Sequence, residues 1–148
     1  MAEIYVIGAN IIEKDNKVLL MQETLEKVRG KWNLPAGRLE MKEDIIACAK
    51  REGEEETGFK LDPIYLVGIY QHHLTLEHNI ILFVFKSEIV GGELTVPKDA
   101  LNVKWFSFDE IEELNKKGLL RLPSILKVIQ DYKAGKKIQL DIIAILDR

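Results

Sequence analysis

The apolar positions divide the chain into short alternating runs and three helical stripes. "IYVIGANIIEKDNKVLLMQE" is apolar on both sides of a polar break at Asp15-Asn16, a pair that tolerates positive φ, so it predicts two strands joined by a tight turn. Thr24 to Lys31 is polar and ends in Gly30, which predicts a loop. "WNLPAGRLE" follows as a turn-rich approach to a helix. That helix is expected from Glu43 to Thr57, because Ile45, Ala49 and Gly53 recur every four residues with Ile46 beside them. Gly58 is its expected stop.

Beyond it, "DPIYLVGIYQHH" and "NIILFVFKSEIV" read as strands joined by "LTLEH", and "GGE" as a loop. "VKWFSF" reads as a short strand, and "SFDEIEELNKKG" opens a helix with Ser107 or Asp109 as its cap. A last helix carries Ile125, Val128, Ile129 and Tyr132 on one stripe and stops at Gly135. The tail "KKIQLDIIAILDR" is apolar enough to pack, with strand and helix both open. Strands mixed with two or three helices predict an α/β sandwich rather than a parallel doubly wound sheet.

Composition narrows the class. A length of 148 residues with 47% apolar positions suits one domain, residues 1–148, with a real core. The net charge of -3 argues against a general nucleic-acid binder but leaves room for a single bound nucleotide. Cys48 is the single cysteine, which excludes an internal disulfide and fits a reducing compartment. The N-terminus lacks a leader pattern and no run is long enough to span a membrane, so a soluble, cytoplasmic protein is expected.

Residues 51–59, "REGEEETGF", break the pattern. Glu52, Glu54, Glu55 and Glu56 crowd the last turn of a helix, where the backbone dipole favours cations. On a helix Glu52, Glu55 and Glu56 share one sector, and Glu54 points elsewhere, toward solvent. The repulsion is small, about 0.2–0.5 kcal/mol for each like-charge pair, so an acidic solvated face would explain the cluster alone. Its position against the dipole, however, suits a divalent cation held by carboxylates.

The neighbours make the reading specific. Gly37 precedes Glu43 by six positions, and Glu43 precedes Glu52 by nine. The whole pattern, G-x5-E-x7-R-E-x-x-E-E-x-G-hydrophobic over residues 37–59, resembles the Nudix box of the MutT-related pyrophosphohydrolases. The resemblance extends to "WNLPAGRLE", "VKWFSFDEI" and the closing segment, which is similar to a subgroup acting on nucleoside di- and triphosphates. It implies a Nudix-type α/β/α sandwich with a mixed sheet. It also implies catalytic and Mg²⁺-binding roles for Glu52, Glu55 and Glu56, with Mn²⁺ as the alternative ion and the Ala36 carbonyl as a further ligand. Gly37, Glu43, Arg51 and Gly58 would be structural: Arg51 pairs with Glu43, and Gly37 lets the backbone approach the metal. Glu52 is the first choice of general base, with Glu77, Glu93 and Asp99 as loop alternatives.

The implied reaction is water attack on phosphorus in a nucleoside di- or triphosphate, an oxidised purine nucleotide among them. ADP-ribose or a thiamine-precursor diphosphate are other substrates of the family, and a non-catalytic ligand-sensing module is the reading from another class. Asn33 could read a base edge, with turn capping as its structural alternative, and Arg38 could meet a phosphate. His72 and His73 read as strand-end residues, with contact to a phosphate or base as the functional alternative. A homodimer is one arrangement the resemblance allows. One position departs: Gly53 stands where the family has an aliphatic residue. Either a bulky side chain fills that gap or the helix lies closer to the sheet.

Overall fold

The protein is described here from a computed structural model covering residues 1–147. Two four-stranded sheets carry the chain. The first is mixed, in the order β5 (Ala36–Arg38), β1 (Glu3–Ile11), β7 (His78–Gly92), β6 (Phe59–His73). β1 runs parallel to β7 and antiparallel to β5, and the long β6–β7 hairpin is antiparallel. The second joins β2 (Glu13–Lys14), β3 (Lys17–Glu23) and β4 (Trp32–Asn33), with β8 (Ala100–Ser107) on the other edge of β3. The Asp15-Asn16 turn forms as the pattern predicts, with φ of 53° and 62°.

Helix α1 (Ile45–Thr57) covers one face of the mixed sheet. Its buried Ile45, Cys48 and Ala49 pack on Leu66 and Phe85. The other face meets the second sheet, α2 (Phe108–Lys116) and α3 (Ser124–Lys133) through one core that includes Ala9, Val67, Leu82, Trp32, Phe106, Ile111 and Val128. The expected α/β/α sandwich with a mixed sheet is the fold observed. Among the described residues, no helix is long and apolar enough to cross a membrane.

Several boundaries differ from expectation. α1 begins at Ile45 rather than Glu43, because the Asp44 carboxylate accepts the Ala47 N–H at 2.7 Å and caps the first turn. Glu43 is left in the preceding turn, free to reach Arg51. Gly91 and Gly92, expected in a loop, pair with Lys60 and Phe59 and end β7. Ser107 is the cap of α2, in a reciprocal capping box with Glu110. The tail is neither strand nor long helix. Ile138 exchanges backbone bonds of 2.8 and 2.9 Å with Leu66, and a single 3-10 turn follows at Leu140–Ile142.

Gly53 is occupied from both directions the sequence left open. A Cβ there would lie 2.6 Å from Leu61 Cδ1 and 2.7 Å from Asn10 Nδ2, so two side chains fill the space. The helix also lies close to the sheet, since a Cβ on Gly8 would lie 2.7 Å from the Ala49 backbone nitrogen. Asn10 is fully buried and fully paired. Its amide donates to Ala49 O at 2.8 Å and Pro35 O at 3.0 Å, and its carbonyl accepts from Ser87 Oγ at 2.8 Å. One polar side chain thus ties β1, β7, α1 and the turn before β5 together.

Candidate functional site

The site is built where the last two turns of α1 face β5. β5 pairs with the β1 edge through Ala9–Ala36, Gly8–Gly37 and Ile7–Arg38. This brings the Ala36-Gly37 backbone under the helix. The Glu52 carboxyl packs directly on Gly37, and any Cβ at that position would overlap it. Gly37 therefore makes room for a carboxylate. The Ala36 N–H donates to Glu56 Oε2 at 3.3 Å.

Arg51 organises the rest. Its Nε and Nη2 donate to both oxygens of Glu43, at 2.6 and 3.0 Å, and Nη2 also donates to the Arg38 carbonyl at 3.2 Å. Nη1 donates to Glu52 at 2.7 Å and reaches Glu55 at 3.5 Å. This fork fixes the turn before α1 onto the helix and holds β5 beneath it. It also supplies one positive charge among three carboxylates. The Arg51 bond holds the Glu43 carboxyl below its ordinary range. The bond to Glu43, followed by those to Glu52, strengthens the guanidinium's hold on its proton.

The two inner glutamates are displaced in the other direction. Burial raises Glu52, against the pull of Arg51 and with help from the charges of Glu55 and Glu43. Burial pushes Glu56 up to about 9, with the Ala36 N–H opposing and Glu52, Glu23 and Glu55 adding repulsion. Glu55 is more open, at 60% exposed.

Among the described residues no three carboxylate, histidine or cysteine groups are already gathered as a metal cage. The donor set nonetheless fits a hard divalent cation. Its members are carboxylates, one is desolvated enough to hold its proton at neutral pH, and the neighbouring acids repel one another. A cation relieves that repulsion.

Other expected residues fall as follows. Asn33 is part-buried on β4 and does not cap a turn; its Nδ2 donates to Glu23 Oε1 at 3.2 Å, leaving Oδ1 as an acceptor. The Arg38 guanidinium lies 3.8 Å over the Tyr5 ring, along the sheet face that looks toward the second sheet. Glu54 is not a solvent-facing bystander. Its Oε2 accepts the Leu61 N–H at 2.9 Å and fixes the start of β6. Cys48 is buried, its thiol raised to about 11 by burial, and it contacts the Gly37 carbonyl. Glu77 lies in the β6–β7 turn, 3.9 Å from the N-terminal amine. The Asp99 carbonyl holds Thr24.

Two contributors were not found from sequence. Glu23 ends β3 and approaches the site from the second sheet, bonded to Asn33 and 4.0 Å from Arg121. Its signal was an acid closing an apolar strand, directly before a loop that returns to "WN". Asn10 was also missed, though a polar residue inside "IGANII" is its own flag.

Comparison with known proteins bears on this geometry. The family model for the NUDIX domain matches residues 3–127. The Mus musculus protein named 8-oxo-dGDP phosphatase NUDT18 is 35% identical over 106 residues, 69% of this chain, which span only 32% of that longer protein. Phosphatase NudJ of Shigella boydii serotype 4 is 29% identical over 139 residues, 94% of this chain and 90% of its own. A solved NUDIX hydrolase from Nitrosomonas europaea superposes with a TM-score of 0.88 at 35% identity, covering 97% of this chain and 98% of that one.

Proposed function

The chain belongs to the Nudix hydrolase family, and from that premise we propose that it cleaves a phosphoanhydride bond of a nucleoside di- or triphosphate. The observation that carries the reading is the set of box glutamates around the Ala36-Gly37 backbone, with the Glu56 carboxyl pushed up to about 9. Members of the family generally use divalent cations. Here Glu52, Glu55 and Glu56, with the Ala36 carbonyl, would hold Mg²⁺, or Mn²⁺ in its place. When bound, such an ion neutralises diphosphate oxygens and makes a water more acidic.

This chain's own residues do the rest. Arg51 and Glu43 hold the turn so that β5 and α1 keep their spacing. Glu52 is the proposed acceptor of the proton from the attacking water, and its burial, which raises it above the ordinary carboxylate value, makes it a stronger base. The water oxygen bonds to phosphorus, the anhydride P–O bond breaks, and the departing phosphate oxygen carries the electron pair. A triphosphate gives a monophosphate and pyrophosphate. A diphosphate gives a monophosphate and phosphate.

For the substrate, the printed name of the NUDT18 relative supports a diphosphate of an oxidised purine nucleoside. Asn33 offers its free Oδ1 to a base edge, and Arg38, stacked along the sheet face, offers its guanidinium to a phosphate. The test is a panel of nucleoside di- and triphosphates, oxidised guanine forms included, with ADP-ribose. Phosphate and pyrophosphate release are measured separately with and without Mg²⁺. Cation-dependent release from a nucleotide supports the reading, and release from ADP-ribose alone moves the chain to another substrate.

A further inference from the structure

β6 forms one edge of the mixed sheet, and among the described residues only Ile138 pairs with its outer side, through Leu66. Beyond that bridge, Val67 to His73 reads VGIYQHH, with no lysine, arginine, acid or proline. Edge strands open to water usually carry one of these, or a bulge, to refuse another strand. Here the bulge lies at the near end, between Leu66 and Gly68, and Ile69 and Gln71 beyond it are exposed. The outward N–H and C=O groups of such a stretch are a template for one more strand.

A groove of about 460 Å³ runs beside that stretch, between Val67–Tyr70 on one side and Lys136, Lys137 and Ile138 on the other. Lys127 and Lys136 share the one carboxylate of Asp131, at 2.6 and 3.6 Å. With Lys137 added, the groove keeps a positive balance. An extended segment that is apolar and carries acids would suit it.

The chain holds a segment of that chemistry. Residues 141–147, DIIAILD, are apolar and rich in isoleucine between two exposed aspartates. Ile142, Ile145 and Leu146 are 66, 48 and 87% exposed, and Ile143 is already extended. The seven residues match the seven of Val67–His73, about 23 Å of strand. In its own chain this segment leads away from the open edge. Ile138 pairs antiparallel with Leu66, so the residues after it lie beside the first half of β6 and head toward Phe59. Leu140 and Ile143 are then tied to the cluster of Ile45, Leu66 and Phe85. A second copy has no such restriction. Ile69, Ile142, Ile145 and Leu146 leave roughly 450 Å² of side chain in water per copy, so a reciprocal pair removes about 900 Å², and with the strand backbones it approaches the roughly 1,200 Å² at which specific interfaces begin.

We propose that residues 141–147 of one copy add as a strand to the Val67–His73 edge of a second copy, and that this exchange, made reciprocally, holds the protein as a homodimer. The aspartates of the segment then meet the lysines of the groove. Sedimentation equilibrium tests the proposal. The wild type should sediment at twice the mass of one chain. Ile145→Lys with Leu146→Lys, and separately Ile69→Lys, change exposed side chains, so each should keep the wild-type circular dichroism and sediment at half the wild-type mass. A peptide of residues 139–147 in excess should also halve the wild-type mass, and a scrambled peptide should not. A monomeric wild type overturns the proposal. So does a dimer that survives Ile145→Lys with Leu146→Lys, since it pairs edge to edge or through another face. If a variant loses its fold, the peptide decides: release of the dimer supports the exchange, and a dimer that the peptide leaves intact overturns it.

Discussion

Gly53 is a glycine because Leu61 and Asn10 already fill the space its side chain would need. Gly53→Ala should gain about 1 kcal/mol of helix propensity. The added Cβ must also push aside an Asn10 amide held by two hydrogen bonds, and overpacking of this kind costs about 1–3 kcal/mol. The expected net result is a loss of up to about 2 kcal/mol in denaturant unfolding. A rise in stability would mean that Asn10 relaxes freely. Glu56 gives a second prediction at this scale. Its carboxyl holds a proton up to about pH 9, so folding takes up a proton there and, without metal, stability falls as pH rises from the ordinary 4.5 toward 9. A cation must displace that proton. Mg²⁺ affinity should therefore rise with pH over the same window, with about one proton released per ion in calorimetry across buffers of different ionisation enthalpy. That Glu52, Glu55 and Glu56 sit in the last turns of one helix was legible in the sequence. Their separate environments were not, because burial of Glu56 and openness of Glu55 depend on which side of α1 meets β5.

The box works as an element because Arg51 clamps a turn to a helix. Lysine at this position keeps the charge but loses the fork that takes both oxygens of Glu43. Arg51→Lys should cost about 1–3 kcal/mol of stability, read as a lower denaturation midpoint, and should lower kcat through a loosened Glu52. A variant as stable as the wild type would remove the clamp from the account. The helix was legible from its apolar stripe and its glycine stop. Its first residue was not, because Asp44 and Glu43 are both acids, and only the geometry shows that one caps while the other reaches across to Arg51. Glu54 was misread for a related reason. Periodicity points it away from the site, but the turn after Gly58 folds β6 back beneath it, where the Leu61 N–H needs an acceptor.

At the scale of the molecule, both sheets, α2 and α3 share one core, and Asp131 fastens its outer edge. It is buried and bonded by Lys127 at 2.6 Å and Tyr70 at 2.7 Å, with Lys136 at 3.6 Å. Burial works to raise its carboxyl, but those partners outweigh it and hold it below its ordinary 3.8. A depressed acid contributes stability that is complete above the unfolded value and disappears as pH falls through the folded one. Asp131→Asn should thus be less stable than the wild type at pH 7, and the gap should close below about pH 3.8. Strand order, the parallel β1–β7 pair and the approach of Glu23 from the second sheet were beyond the sequence, since they join residues far apart in the chain whose local patterns fit several topologies. The central claim is that the glutamates of α1 hold a cation for phosphoanhydride hydrolysis, and turnover by Glu55→Gln tests it most directly, because Glu55 is exposed and its loss leaves the packing intact. The account predicts a fall of about 10²–10³-fold in Mg²⁺-dependent phosphate or pyrophosphate release from the best nucleotide, with an unchanged unfolding curve. Wild-type turnover by that variant would contradict it.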